Sequence, residues 1–271
     1  MPELPEVETT RRGLAPSVVG RTIASVSVYD RRLRWPVPSD LRRRIAGRRI
    51  DAVDRRGKYL LFRIAGDTMI VHLGMTGSLR IHGRAPAREA HDHVDIVLDE
   101  GSTLRYHDPR RFGAVLWARG DALGHPLLAG LGPEPFDAGF DADPLYRATR
   151  GRRQAIKQAL MDNRLVVGVG NIYASESLHR AGIRPTRPAG RLTRAQVGTL
   201  VDQVRATLAA AISRGGTTFR DYVDSRGEPG GFQQECAVYG REGLPCPGCG
   251  TAVRAIRMGG RSTYYCPRCQ R

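Results

Sequence analysis

Two residues at the start of the chain, Pro2 and Glu3 in MPELPEVETT, have the types and spacing that covalent catalysis requires. Removal of Met1 ahead of a small residue would leave Pro2 with a secondary amine. An α-amino group has a pKa of roughly 7.7–8.0, against about 10.4 for lysine, so much more of it is an uncharged nucleophile near neutral pH. Such an amine can attack an electrophilic carbon, and the carboxylate of the adjacent Glu3 can serve as acid or base.

The same stretch is also typical of a helix start. Pro5 suits the first turn of a helix, and acids such as Glu6 and Glu8 complement the positive end of the helix dipole. The sequence therefore predicts a helix from about Pro5 to Leu14. This interpretation leaves the two residues ahead of the helix without a role.

Four of the five cysteines form two CxxC pairs, CPGC (246–249) and CPRC (266–269). Thiolates at this spacing form a tetrahedral site for one zinc ion, and a site closed by protein ligands is structural. A redox role would need a βαβ context, which the sequence lacks. Between the pairs, a Gly259–Gly260 turn predicts a β-hairpin with Arg261 at its tip. Cys236 is left as an ordinary reduced thiol. The predicted Zn²⁺ ligands are Cys246, Cys249, Cys266 and Cys269.

The charge balance indicates a polyanionic partner. Lys and Arg number 43 against 27 Asp and Glu, which gives a formal net charge of +16 and a pI near 10.6. A basic excess of this size is the electrostatic footprint of a nucleic-acid-binding protein. A high-GC genome would explain arginine in place of lysine, but not the excess of base over acid. Because the sequence has neither a membrane-span pattern nor a signal pattern, we expect a soluble, cytoplasmic protein.

Short segments that alternate polar and apolar residues fill the first half of the chain and predict strands. Since no helical segment lies between them, they favour an antiparallel β-sandwich over βαβ units. The predicted strands are 21–30, 48–55, 58–66, 68–75, 93–100, 102–108 and 113–119.

The second half changes to a helical period. Helices are predicted near 152–162, over 172–182, and from Thr193 to a stop at Gly215, with Gln196 at capping-box spacing from Thr193. The acidic, turn-rich segment 130–143 is typical of an interdomain connection. Ahead of the second helix, VGVGN (167–171) could bring backbone N–H groups to a phosphate and cap the helix with Asn171, or be an ordinary tight turn.

Three further loops carry candidate DNA contacts. HDPRRFG (107–113) combines cations with an aromatic ring, as expected where a protein enters a stacked duplex. The same residues are also consistent with a solvated turn in which Phe112 is buried. GMTG (74–77) leaves Met75 on a flexible loop, where an isolated Met is usually core filler. HDH (91–93) would place both histidines on one strand face as a possible metal pair. Structural or DNA-contacting roles are favoured because no third ligand is nearby.

Together these features resemble the formamidopyrimidine-DNA glycosylase family of bacterial oxidised-purine repair enzymes. The matching stretches cover the whole chain in the family's order. They are PELPEVE (2–8), RRGKYLL (55–61), HLGMTGSLR (72–80), DPRRFG (108–113), LGPEP (131–135), MDNRLVVGVGNIYASE (161–176) and the cysteine ribbon.

The resemblance implies an α+β fold, in which an antiparallel β-sandwich with flanking helices precedes a helix–two-turns–helix domain and a zinc-ribbon hairpin. It places a catalytic domain at 2–133, a linker at 134–150, a DNA-binding domain at 151–235 that includes a lesion-covering loop at 225–232, and the zinc finger at 236–271. A monomer acting on double-stranded DNA is expected.

The resemblance also implies the roles of individual residues. Lys58 would assist as general acid and phosphate contact, and Arg261 would bind the phosphate beside the lesion. Arg153 stands where the family often has lysine, which keeps the charge but changes phosphate geometry. The catalytic set is Pro2, Glu3, Lys58 and Arg261. The DNA-binding set is Met75, His91, Arg110, Phe112, Arg153, Lys157 and Asn171.

Two rival functions share many of these features. The endonuclease VIII type prefers oxidised pyrimidines and typically begins PEGPE, whereas this chain begins PELPE. A non-catalytic DNA-binding module would have lost one of Pro2, Glu3 or Lys58, and all three are present. The preferred function is therefore excision of 8-oxoguanine and formamidopyrimidines, followed by strand cleavage.

Overall fold

The computed structural model describes residues 2–218 and 222–271. The described residues group into two units. The N-terminal unit consists of residues up to Ala129 together with Arg214–Gly231, and the C-terminal unit consists of Gly130–Ser213 and Phe232–Arg271. None of the helices in the described ranges is long and apolar enough to cross a bilayer.

The N-terminal unit is an antiparallel β-sandwich with flanking helices. Its two described sheets have the strand orders β1-β6-β7-β5 and β2-β3-β4-β8. The elements are α1 (Leu4–Val18), β1 (Ile23–Val28), α2 (Leu41–Ile45), β2 (Ile50–Arg56), β3 (Tyr59–Ile64), β4 (Asp67–His72), β5 (Ser78–His82), β6 (Asp92–Leu98), β7 (Thr103–His107) and β8 (Ala114–Ala118).

The core of this unit lies between the two sheets and under α1. Buried Val94 and Leu104 come from one sheet, Phe62 and Val71 from the other, and Leu14 from the helix. The seven predicted strands are all present and the sandwich is confirmed. Two short elements, α2 and β5, were not predicted. Helix α1 begins one residue earlier than predicted and runs four residues further, with Pro16 inside it.

The C-terminal unit is built around one long helix. Its helices are α3 (Ala142–Thr149), α4 (Ile156–Leu160), α5 (Asn171–Arg180) and α6 (Arg194–Ser213). The predicted capping box of α6 is present, since the backbone N–H of Gln196 donates to Thr193 Oγ1 at 3.2 Å and the backbone N–H of Thr193 donates to Gln196 Oε1 at 3.1 Å. Gly182 and Gly215 follow α5 and α6 with φ values of 69° and 74°, the left-handed conformation predicted for helix stops.

A two-stranded hairpin ends the chain. Strands β9 (Arg254–Met258) and β10 (Arg261–Tyr265) pair antiparallel across the Gly259–Gly260 turn, as predicted. Both glycines have positive φ, at 54° and 77°, which a two-residue hairpin turn requires.

Two parts of the predicted domain division differ from the structure. The segment 134–150, interpreted as a linker, contains α3, whose Leu145 is buried in the core that includes α6. The loop 225–232, assigned to the helical domain, groups with the N-terminal unit up to Gly231, and only Phe232 belongs to the C-terminal core. In the N-terminal unit, Ser225 C=O accepts a hydrogen bond from Ile81 N–H of edge strand β5 at 3.2 Å.

Candidate functional site

The N-terminal Pro2–Glu3 pair lies directly ahead of α1. Glu3 is the N-cap of the helix and forms a reciprocal capping box with Glu6, whose Oε2 accepts the Glu3 backbone N–H at 2.7 Å. Both Pro2 and Glu3 are buried. The positive end of the α1 dipole therefore lies beside the Pro2 nitrogen, where it disfavours a positive charge.

Glu6 has a second contact that the sequence analysis missed. Its Oε1 accepts the backbone N–H of Thr217 at 2.7 Å, and its backbone C=O accepts the Tyr222 hydroxyl at 3.2 Å. Glu6 is 1% exposed, so its carboxylate is a buried bridge between the start of α1 and segment 214–231. Thr217 is 211 residues from Glu6 in the sequence, so the residues around Glu6 do not indicate this contact. A carboxylate three residues after the N-cap was the only available hint.

Lys58 lies in the turn between β2 and β3 and is half-buried. The His72 ring lies 4.8 Å from the Tyr59 ring, and its Nδ1 accepts the Gly74 N–H at 3.1 Å. Burial lowers the pKa of His72 to about 4, and the nearby cations Lys58 and Arg34 contribute to the lowering. His72 is thus neutral at pH 7 with its proton on Nε2, a donor beside Lys58 that the sequence analysis did not single out.

The structure brings the Met75 loop and the Arg110–Phe112 loop together. Thr76 Oγ1 donates to Asp108 Oδ1 at 2.8 Å and accepts the Arg110 backbone N–H at 3.3 Å. The Arg110 guanidinium lies 5.0 Å from the centre of the Phe112 ring. Met75 and Phe112 are 39% and 44% exposed, so neither is core filler or a buried turn residue.

Gly74 makes this close approach of the two loops possible. It has a φ of 63°, and a Cβ there would lie 2.4 Å from Gly113 N and 2.5 Å from Phe112 C. Any other residue would push the loops apart. The paired loops therefore form one exposed protrusion of a methionine, an arginine and a phenylalanine.

His91 and His93 do not share a strand face. His91 precedes β6 in a left-handed conformation, φ 73°, and is exposed, whereas His93 is buried with Nε2 2.9 Å from Asp108 C=O. The possible metal pair is therefore wrong, because the strand begins only at Asp92. His91 is exposed, and its role as a DNA contact stays a prediction.

The C-terminal unit gathers Lys157, Asn171 and Arg261 around one cavity of about 280 Å³. Lys157 Nζ donates to Asn171 Oδ1 at 2.7 Å and to Thr263 Oγ1 at 2.8 Å. Asn171 Nδ2 donates to the backbone C=O of Ser262 at 3.0 Å. The predicted cap is wrong, since Gly170 is the N-cap of α5 and Asn171 is its first helical residue. Its side chain is directed instead to the hairpin that carries Arg261.

The predicted DNA contacts of this unit differ in accessibility. Arg153 is exposed and does not line the cavity. Lys157 is only 2% exposed, and its ammonium has internal acceptors on α5 and β10. Lys157 therefore holds Asn171 and the hairpin in position, and its predicted contact with DNA stays a prediction.

The four predicted zinc ligands come together at the base of the hairpin. The Sγ atoms of Cys246, Cys249, Cys266 and Cys269 all lie within 4.8 Å of one another. Cys246 and Cys269 Sγ are 3.9 Å apart, and Cys249 and Cys266 Sγ 3.4 Å apart. A tetrahedron with Zn–S bonds of about 2.3 Å has S···S edges of roughly 3.8 Å. The cysteines fit one structural Zn²⁺ with no open position. Cys236 is buried and outside this cluster.

Comparison with known proteins decides the family. Three family models match the chain in order. They are described as the formamidopyrimidine-DNA glycosylase N-terminal domain (residues 1–115), the formamidopyrimidine-DNA glycosylase H2TH domain (131–223) and a zinc finger found in FPG and IleRS (243–271). The chain belongs to the formamidopyrimidine-DNA glycosylase family.

Relatives and solved structures agree over the full length. Formamidopyrimidine-DNA glycosylases of Stutzerimonas stutzeri and Thioalkalivibrio sulfidiphilus are 58% and 59% identical, with all of each chain covered. The Fpg crystal structure from Thermus thermophilus is 46% identical with a TM-score of 0.88, covering 99% of this chain and 98% of that one. A Lactococcus lactis Fpg mutant bound to DNA containing Fapy-dG has 36% identity and a TM-score of 0.93, with both chains fully covered.

Membership of the formamidopyrimidine-DNA glycosylase family confirms the predicted enzyme class and fold. The chain is a DNA-repair glycosylase that is also an abasic-site lyase, with a β-sandwich, an H2TH domain and a structural zinc finger. The family match does not assign a role to any single residue.

Proposed function

We propose that this chain excises oxidised purines, chiefly 8-oxoguanine and formamidopyrimidines, from duplex DNA through a Schiff base on Pro2, and then cleaves the strand. The observation that carries the proposal is the position of Pro2 and Glu3, buried immediately ahead of α1. After removal of Met1, the helix dipole favours the neutral amine at this position. A carboxylate on the adjacent residue then supplies acid–base catalysis.

The covalent step exchanges one bond at the sugar for another. The Pro2 nitrogen lone pair forms a bond to C1′, the glycosidic C–N bond breaks, and the departing base takes up a proton. Glu3 serves as general acid and general base toward the sugar ring oxygen or the departing nucleobase, and Lys58 assists as general acid. The Pro2 nitrogen then loses its proton, and its lone pair expels the ring oxygen O4′, which takes up a proton as the C1′–O4′ bond breaks. The resulting open-chain iminium acidifies the C2′ proton. Its loss drives β-elimination of the 3′ phosphate, and δ-elimination then releases the 5′ phosphate and leaves a one-nucleotide gap.

The exposed protrusion of Met75, Arg110 and Phe112 fills the space left by the lesion. The damaged nucleotide must leave the stack to reach a buried nucleophile, at a cost of a few kcal/mol. Apolar side chains inserted at the vacated step offset part of this cost. The Arg110 guanidinium, held 5.0 Å from the Phe112 ring, is suited to hydrogen-bond the unpaired opposite base.

Phosphate binding is divided between the two units. In the N-terminal unit, Lys58 and His91 are the proposed contacts, with neutral His72 beside Lys58 as an additional donor. In the C-terminal unit, Arg261 and Asn171 line the cavity, Lys157 holds Asn171 in place, and exposed Arg153 adds a contact outside it. The expected setting is the cytoplasm of a bacterium, on the nucleoid, with the protein acting as a monomer.

Borohydride trapping tests the nucleophile. Protein that begins with Pro2 should form a covalent adduct with a duplex carrying 8-oxoguanine opposite cytosine. Protein with one extra residue ahead of Pro2 should form none, because its Pro2 nitrogen is an amide without a free lone pair. An abasic analogue duplex measures binding in parallel. Equal adduct from both proteins would reject Pro2, and tight binding without adduct from either would favour a non-catalytic DNA-binding module.

A second candidate function has the same mechanism but differs in the class of damaged base that is excised. A solved complex of Lactococcus lactis Fpg, 35% identical to this chain, contains DNA with an oxidised pyrimidine. The same trapping experiment with thymine glycol in place of 8-oxoguanine compares the two lesion classes. We expect the purine lesion to be trapped faster. The reverse order would assign the chain the substrate preference of the endonuclease VIII type.

A further inference from the structure

A histidine outside the zinc finger lies against one of the zinc ligands. His179, near the C-terminal end of α5, places Nε2 3.4 Å from Cys246 Sγ, within hydrogen-bond range for sulfur. Cys246 is 2% exposed and so is largely removed from solvent. The sequence motifs used to identify the site do not include His179. Its contact joins the helical domain to the metal cluster.

The surroundings of the two ring nitrogens of His179 indicate which one carries the proton. Within the described part of the chain, Nδ1 is buried and has no hydrogen-bond partner. A buried N–H without an acceptor is costly, so a proton on Nδ1 is disfavoured. Nε2 faces the Cys246 sulfur, which would be a strong acceptor as a thiolate bound to Zn²⁺. The hydrogen-bond pattern therefore assigns a neutral ring whose single proton is on Nε2, directed at sulfur.

The thiolate needs this donor because of the charge of the cluster. Four thiolates around Zn²⁺ carry a net charge of −2, and an ionised group removed from water is stabilised only by partners. His179 adds a donor from a separate element, as outer-shell partners of metal ligands commonly do.

The finger is attached to the same part of the C-terminal unit by further bonds. Gln270 Nε2 donates to Ile183 C=O at 2.9 Å, and Arg271 N–H donates to Gly182 C=O at 3.1 Å. Both acceptors follow α5 directly, so these bonds hold the finger against the end of the helix that carries His179. The contact between His179 and Cys246 therefore belongs to a docked surface and not to a mobile side chain.

We propose that His179 is an outer-shell residue of the zinc site, which retains the metal by donating its Nε2–H to the Cys246 thiolate. Losing an outer-shell partner typically costs 10–100-fold in metal affinity. The inference concerns zinc retention, and it stands independently of the nucleophile assigned to Pro2.

Zinc transfer from the full-length, zinc-loaded protein to the chromogenic chelator 4-(2-pyridylazo)resorcinol tests the proposal. We expect His179→Phe to release zinc about tenfold faster or more, since Phe fills the space without a donor. His179→Gln, whose amide N–H can replace Nε2–H, should remain close to wild type. Ser177→Ala is the matched control, because this buried hydroxyl on the same helix has no partner among the described residues.

Each outcome has a defined meaning. Wild-type release by His179→Phe would overturn the proposal. Equally fast release by the Phe and Gln variants would also overturn it, since the ring would then matter only for packing. Long-range ¹⁵N NMR of the histidines gives a readout independent of release. A proton on Nε2 supports the bond to sulfur, and a proton on Nδ1 contradicts it.

Discussion

At the scale of single residues, the Glu6 carboxylate fixes the backbone around Glu3. Its two carboxylate oxygens accept the backbone N–H groups of Glu3 and Thr217, both at 2.7 Å. Glu6→Gln keeps the size but turns one acceptor into a donor that faces an N–H. We expect a loss of about 2–3 kcal/mol in the free energy of unfolding of the N-terminal unit. A lower rate of borohydride trapping should accompany it, since the Glu3 backbone is no longer held.

Urea unfolding followed by tryptophan fluorescence measures this loss in the appropriate unit, since the chain's two tryptophans, Trp35 and Trp117, both belong to it. Glu89→Gln is the control, because Glu89 is exposed in the same unit and should change stability by less than about 0.5 kcal/mol. A Glu6→Gln protein as stable as this control would mean that the carboxylate bridge contributes little.

At the scale of elements, a buried carboxylate joins α1 to β2. Glu8 accepts hydrogen bonds from Arg12 at 2.7 Å and Arg11 at 2.8 Å on its own helix, and from Arg55 of β2 at 3.1 Å. Burial raises the pKa of Glu8, but these arginines outweigh it and lower the pKa to about 2. A folded-state pKa below the unfolded value means that this stabilisation is complete above about pH 4.5 and is lost as the pH falls toward 2.

Because solvent screens the partly exposed Arg11 and Arg12, the expected contribution at neutral pH is smaller than the full shift, about 1–2 kcal/mol. The difference in free energy of unfolding between wild type and Glu8→Gln should therefore shrink steadily from pH 5 to pH 3. Urea unfolding at a series of pH values checks this, with tryptophan fluorescence again as the signal. A difference that does not change with pH would show that Glu8 is not ionised against the arginines.

The sequence predicted elements whose signal is local and missed those set by distant contacts. The alternating strands, the capping box at Thr193 and the cysteine spacing were each visible within a short window. Strand β5, at 78–82, is short and carries Arg80 and His82, so its pattern merged with the preceding loop. A cap of α5 by Asn171 was one of two alternatives, but its side chain bonds instead to Lys157 and the hairpin, which are distant in sequence. The return of segment 214–231 to the N-terminal unit likewise depends on Glu6 and β5.

At the scale of the whole molecule, the net charge of +16 implies binding that is mainly electrostatic and therefore sensitive to salt. Each phosphate neutralised by the protein contributes a slope of about −0.9 to the plot of log affinity against log salt concentration. Of the proposed contacts, Arg261 is both exposed and part of the cavity wall. Replacing Arg261 therefore tests one phosphate contact separately from the general electrostatic attraction between DNA and a basic surface.

We expect Arg261→Gln to weaken binding to an abasic-analogue duplex and to reduce the magnitude of the salt slope by about 1, equally for duplexes of different sequence. The matched control is Arg254→Gln, an exposed arginine at the other end of the same hairpin that does not line the cavity. Fluorescence anisotropy over a range of salt concentrations measures both slopes. Since both variants lose one positive charge, equal slopes would mean that Arg261 acts only through net charge, whereas a change confined to Arg261→Gln assigns it a phosphate.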